Sequence, residues 1–233
     1  QGMLVYNIDT HATQHFTYNP MDPFSISDNP LYCLYKDREG GLWAGSYFGG
    51  LNYLPAIHPI FERFVPQGSE NGLHGRRVRE MVMDKQGKIW IGTEDGGLNC
   101  MEPDSETFSH IAASNAFPNV HGLCVDGNEL WVGTFASGLK IIDTRTHQLV
   151  KSFKADGRLG SLHDNTIFSI ARSPQGVMYL GTIRGLCTYD ANTQSFVYDK
   201  AVPPVLINDV SFDSHGNLWL ATQTNGVFMR HNG

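Results

Sequence analysis

The sequence predicts an all-β chain, a β-propeller of four-stranded blades, and three observations carry that prediction. A string of apolar, aromatic, apolar, small and hydroxyl residues occurs five times: LWAGS (42–46), IWIGT (89–93), LWVGT (130–134), MYLGT (178–182) and LWLAT (218–222). Its aromatic centres Trp43, Trp90, Trp131, Tyr179 and Trp219 are spaced by 47, 41, 48 and 40 residues, and a period of this length made of short strands marks a propeller blade. The chain also holds 25 Gly and 11 Pro in 233 residues, a composition suited to many tight turns, and no run sustains helical periodicity.

Each element of the repeat has a physical reason. Before the string stands a turn: DREGG from Asp37, DKQGK from Asp84, DGNE from Asp126, SPQGV from Ser173 and DSHGN from Asp213. Asp or Ser with Gly three residues on suits a hairpin turn that needs a positive φ near its end. After the string comes a glycine step, GGL (49–51), GGL (96–98), SGL (137–139), RGL (184–186) and NGV (225–227), which lets the chain leave one strand sharply and begin the next. In the second copy the strand-length runs are VREMVMD, KIWIGT, GLNCME and TFSHIA. The repeated Trp, Gly and Asp are expected to be structural, with the Trp ring packed between neighbouring blades.

Counted along the chain, residues 1–19 read as a partial blade whose strands are its third and fourth. Complete blades follow at about 31–65, 78–112, 120–154 and 167–200, and a partial blade at 207–230. Gln1-Gly2-Met3 reads as the start of an excised piece, so about five blades of a seven-bladed ring are expected. Three connections between blades are long and alike: SISDNPL (25–31), GLHGRRV (72–78) and SLHDNTI (161–167); those near 113–120 and 201–207 are shorter. They are expected to open on the same face as the loops between second and third strands, and that face is where function is expected.

Composition narrows the function. A formal net charge of −6 argues against a surface for nucleic acid, which needs a basic face. No window approaches 18 uninterrupted apolar residues. The ten His show no metal-ligand spacing; His74 and His163 share a repeat position but lie in non-adjacent blades. Cys33, Cys100, Cys124 and Cys187 fall in four different blades and read as buried free thiols, not a disulfide framework or zinc cluster. No cofactor and no catalytic residue is expected.

The SLxxNxV-like lead, D-x-x-G turn, LWIGT-like strand and GGLN-like step together resemble the two-component regulator propeller repeat, over essentially the whole chain. DREGGLWAGSYFGGLN (37–52) and DKQGKIWIGTEDGGLN (84–99) match it closely, while the copy with Ser173 and Tyr179 diverges most. The resemblance implies the periplasmic sensor region of a hybrid two-component system of the Bacteroidetes type. In such receptors propellers precede an immunoglobulin-like domain, a transmembrane helix, a histidine kinase, a receiver and a DNA-binding domain. It further implies detection of oligosaccharides, partnership with the receptor's other modules, and a homodimer in the full-length sensor. The alternatives are a propeller that binds or dimerises through protein contacts alone, or a lyase or hydrolase in which His74, His163 and Glu94 act near the channel. Against an enzyme, no sialidase-type arginine trio and no G-x-S-x-G elbow is present.

Candidate ligand-binding residues are those that break the repeat in loops. Arg76 and Arg77 stand where two other copies carry Asn29-Pro30 and Asn165-Thr166; with His74 and Arg79 they form a basic spot, and Arg184 precedes the fourth glycine step. Guanidinium groups bind carboxylate and sulfate bidentately, so an anionic glycan is one expected ligand; the alternative is pairing with Glu80 or Glu94. Tyr47, Phe48 and Phe135 present rings in second-to-third-strand loops, suited to stacking on sugars or to a protein interface. Asn29, Asn165, Asp164 and Asn208 line the same rim, either for hydroxyl groups or as turn caps.

Overall fold

The structure, a computed structural model, describes residues 2–20, 22, 24–56, 64–66, 72–102, 104 and 107–231. They form antiparallel sheets in two compact units, residues 1–68 and 69–233. The first unit holds a two-stranded sheet, β1 (Met3–Tyr6) and β2 (Thr13–Phe16), and a three-stranded sheet, β3 (Leu31–Lys36), β4 (Leu42–Ser46) and β5 (Leu51–Leu54). The fourth strand expected in the 31–65 blade falls largely outside the described residues.

The second unit contains four sheets, each with its strands in chain order. They are β6 (Val78–Met83), β7 (Ile89–Thr93), β8 (Gly97–Glu102) and β9 (Thr107–His110); β10 (Val120–Asp126), β11 (Glu129–Thr134), β12 (Leu139–Asp143) and β13 (Leu149–Phe153); β14 (Ile167–Arg172), β15 (Met178–Thr182), β16 (Gly185–Asp190) and β17 (Ser195–Tyr198); and β18 (Ile207–Phe212), β19 (Leu218–Thr222) and β20 (Val227–Arg230). One of the short connections is built around a single 3-10 turn, Ala112–Ala116.

The five-residue string is the second strand of each sheet, and its positions have separate tasks. The aromatic packs against the next sheet. Trp90 lies with Val120, Leu123, Leu130 and Val132; Trp131 with Ile167, Ile170 and Leu180; Tyr179 with Ile207, Val210 and Leu220. The small residue lets the next first strand come close: a Cβ at Gly92 would lie 2.6 Å from Val120 Cγ1, and one at Gly133 2.8 Å from Ile167 Cγ2. The closing hydroxyl donates across the following loop, from Ser46 to the carbonyl of Gly50, Thr93 to Gly97, Thr134 to Gly138, Thr182 to Gly185 and Thr222 to Gly226.

The aspartate before the string does more than shape a turn. Asp84 Oδ1 accepts the backbone N–H groups of Gln86 and Lys88, while Oδ2 accepts the Trp90 indole N–H at 2.9 Å. Asp37 with Trp43 and Asp213 with Trp219 repeat this bond, also at 2.9 Å. In the third copy the turn is one residue shorter. Trp131 Nε1 then has no partner among the described residues, and Asp126 pairs instead with Arg172 at 3.2 Å.

The thiol expectation needs one correction. No cysteine is bonded to another, and Cys100 and Cys187 are buried, but Cys33 is exposed and Cys124 only half-buried. Cys33 lies on β3, whose residues are almost all exposed. Its Sγ sits where a Cβ on Gly45 would be, 2.7 Å away, so the strand opposite offers it no side chain as cover. Burial pushes the thiols of Cys100, Cys124 and Cys187 up to about 11.

Candidate functional site

Backbone hydrogen bonds fasten four of the second-to-third-strand loops to the segment that leads into the first strand. The N–H of Tyr47 donates to Pro30 O, Glu94 to Arg77 O, Phe135 to Asn119 O and Gln223 to Leu206 O, all at 3.0–3.1 Å. These two loop sets therefore share one rim in those four sheets. The asparagine of the GGLN step strengthens the junction: Asn99 accepts the His74 N–H and donates to His74 O, and Asn52 accepts the Ser27 N–H. Its counterpart in the third copy is Lys140, which is buried and donates to Ser137 O and Ser152 Oγ. Burial lowers the pKa of this ammonium.

Most predicted polar residues have structural employment here. Glu94 receives Arg77 and Arg79, each at 3.4 Å, and Arg184 pairs with Asp164 at 3.4 Å. Arg76 enters no ion pair among the described residues; its backbone N–H, with that of Arg77, donates to Asp95 Oδ1. Those bonds, the Arg76 N–H foremost, hold the Asp95 carboxyl below its usual range. Asn165 and Asn29 tie the lead to the segment behind it, accepting the N–H groups of Ala155 and Tyr18, 10 and 11 residues away, while Asp164 caps its local turn by accepting the Thr166 N–H. His74 stacks on His110 with centroids 4.6 Å apart, and His163 stacks on Tyr198 at 4.4 Å. Each predicted histidine thus has its own aromatic partner.

The predicted aromatics remain open. In the first unit Tyr47 lies between Tyr32 and Phe48, at centroid distances of 5.1 and 4.1 Å, and Phe48 is 85% exposed. In the second unit Phe135 is 50% exposed, with its ring 5.9 Å from His121.

One set of rim residues was legible in the sequence only at Arg79 and Asn208. Every first strand slips register at its second residue: between Leu31 and Cys33, Val78 and Glu80, Val120 and Gly122, Ile167 and Ser169, and Ile207 and Asp209. A bulge takes a residue out of the ladder and re-aims its side chain. The residues so displaced are Tyr32, Arg79, His121, Phe168 and Asn208. Arg79 meets Glu94, and His121 stands edge-on to Phe168 at 4.8 Å. Burial, then the charge of Arg79, lowers the His121 pKa. A signal was present in the sequence, since this position changes from Tyr to Arg, His, Phe and Asn while the residue before it stays Leu, Val or Ile.

Among the described residues no group of three or more His, Cys, Asp or Glu is placed to hold a metal ion, and no helix is long and apolar enough to cross a membrane.

Sheets with this topology and repeat define the chain as a β-propeller. The family described as two component regulator propeller matches it at residues 25–48 and 72–95, so these two stretches are similar to the repeats of that family. These stretches hold the first two copies from lead to second strand. Among solved structures, the extracellular domain of a one component system from B. thetaiotaomicron aligns over 99% of this chain and 39% of its own, with 18% identity and a TM-score of 0.57. The extracellular domain of a hybrid two component system from the same organism aligns over 95% of this chain and 30% of its own, with 19% identity and a TM-score of 0.59. The WD40 propeller domain of Doa1 is similar at 17% identity, covering 83% of this chain and 61% of its own, with a TM-score of 0.53. At these identities the likeness speaks for the fold, and the chain spans less than half the length of the two bacterial domains. No curated protein matches it.

Proposed function

We propose that the chain is part of the extracytoplasmic sensor propeller of a hybrid two-component regulator. In this reading it detects an oligosaccharide in the periplasm and signals to a histidine kinase that controls genes for glycan use. The observation that carries the reading is the match of two repeats, 25–48 and 72–95, to the two-component regulator propeller. The rim supports it with open aromatic rings beside polar side chains, the mixture of surfaces a sugar needs. The partners are the other modules of the same receptor and a second copy of it. The fragment itself has no catalytic role and makes no contact with nucleic acid.

A second reading, a propeller that binds only protein, is favoured by one observation, the exposed Tyr32–Tyr47–Phe48 group, because aromatic patches are enriched at interfaces. A thermal-shift screen of the receptor's intact extracellular region against neutral and acidic oligosaccharides separates the two. A ligand at about 100 times its Kd adds roughly 2.7 kcal/mol to the native state, enough to move the unfolding midpoint visibly. A reproducible shift with one sugar class is the expected result. No shift with any sugar would overturn the sensor reading in favour of protein binding.

A further inference from the structure

We infer that the sugar-binding subsite of the second unit is the shelf made by Phe135, His121 and Phe168 with the Arg79–Glu94 pair at its edge, and that it takes a neutral sugar ring. The inference rests on the sensor reading above and narrows it to a place and a charge class.

The shelf is built by the fold. A Cβ on Gly122 would lie 3.0 Å from Ser169 Cα, so β10 and β14 run in close contact where their bulges release His121 and Phe168. The two rings meet edge to face at 86°, and Phe135 leans toward His121 at 31°. Phe135 keeps half its surface open, although an aromatic ring in a loop gains nothing from water. Its position is held firmly. The next residue, Ala136, adopts φ +66° and its N–H donates to Thr166 Oγ1 at 3.3 Å. A left-handed conformation is costly for a residue other than glycine and persists only where neighbours enforce it. An open ring fixed this way offers an apolar face to the C–H side of a pyranose.

The polar edge fits hydroxyl groups better than an acid. Glu94 already engages Arg77 and Arg79, so an anion at this edge would have to displace a carboxylate that is in place; Arg76, which enters no ion pair among the described residues, is not one of the groups of the shelf. A carboxylate between two guanidinium groups presents an acceptor beside donors, the pattern that adjacent hydroxyls complement. A uronate or sulfate placed there would face the charge of Glu94. Burial foremost, then the charge of Arg79, lowers the pKa of His121 against the opposing charge of Glu94, which disfavours a third cation at this edge. The Nδ1 of His121 is buried and has no hydrogen-bond partner among the described residues, so the imidazole serves the shelf as a packed ring beneath Phe135 and Phe168.

The test is calorimetric titration of the intact extracellular region with neutral tetrasaccharides (cellotetraose, mannotetraose, xylotetraose, maltotetraose and arabinotetraose) and acidic ones (tetragalacturonate and a chondroitin sulfate tetrasaccharide). One neutral tetrasaccharide is expected to bind. Phe135→Ala should weaken it at least tenfold and Glu94→Gln at least fivefold, whereas Phe135→Tyr, which keeps the ring, should stay within threefold of the wild type. Val197→Ala, an exposed position on the outer strand β17, should change nothing. Thermal unfolding of each variant identifies any that fails to fold, and Phe135→Tyr then carries the comparison. Binding of acidic tetrasaccharides alone, or neutral binding indifferent to Phe135→Ala and Glu94→Gln, would overturn the subsite while leaving the sensor reading in place. Absence of binding by every tetrasaccharide would remove the sensor reading itself, and the subsite with it.

Discussion

The hairpins β6–β7 and β18–β19 of the second unit are near copies in sequence and in local geometry. Both place an aspartate six residues before a tryptophan, and in both the indole N–H donates to that aspartate at 2.9 Å. Their tryptophans nonetheless differ in environment: Trp90 is fully buried, whereas Trp219 is 39% exposed. The sheet β10–β13 covers Trp90, and no described sheet covers Trp219. The same contrast holds for the small residue of the string. Gly92 is pressed by Val120 of the following sheet, and Ala221 at the matching position is only half-buried. The signature therefore encodes a hairpin and its internal bond, while the burial that makes the hairpin valuable comes from a neighbour up to 50 residues away.

The largest break in this comparison should come from the indoles. Trp90→Ala is expected to destabilise by about 3–5 kcal/mol, the range for a large buried aromatic, and Trp219→Ala by about 1 kcal/mol. Urea unfolding followed by circular dichroism measures both, and equal losses would contradict the account. The small position should give the next effect. Gly92→Val forces side chains into the 2.6 Å approach to Val120 and should cost about 1–3 kcal/mol as overpacking. Ala221→Val should stay within about 0.5 kcal/mol, as expected where no packed neighbour resists; the same unfolding curves decide it.

The smallest effect belongs to the aspartates and appears only in acid. The indole N–H of Trp219 foremost holds the Asp213 carboxyl well below the usual carboxylate range, and Trp43 does the same for Asp37. A carboxylate with a depressed folded-state pKa stabilises the native state fully above its unfolded value near 4. That contribution is lost as pH falls through the folded value. Stability should thus decline below about pH 4, and Asp213→Asn should flatten the decline without changing its shape above pH 5. Thermal midpoints measured from pH 6 to 2 check the sign. An Asp213→Asn curve parallel to that of the wild type would show that the indole bond carries no proton linkage.

Much of the architecture was legible because it is written in short segments. The turn aspartate, the aromatic, the small residue and the hydroxyl all act within about fifteen residues of one another, and each recurs with the period of the sheets. The rim was legible only in part. Phe135, Tyr47 and Phe48 stood out as rings in loops, and they are indeed open. The arginines stood out as well, but Glu94 and Asp164 occupy three of them, and no spacing rule shows that Arg77 and Arg79 converge on one carboxylate. His121 and Phe168 were passed over since each sits inside an apparently regular strand.

The sequence alone determined that this protein is made of repeated antiparallel sheets, where their turns fall and which residue types build them, because hairpin chemistry is local. Only the tertiary structure decided which indoles are buried, which cations remain free, and that bulges in β10 and β14 bring His121 and Phe168 to one shelf beside Phe135. Those outcomes depend on contacts between separate strands and loops, from Arg79 with Glu94 to His121 with Phe168, and a hydrophobic pattern specifies that such segments meet without specifying which side chain is turned outward where they do.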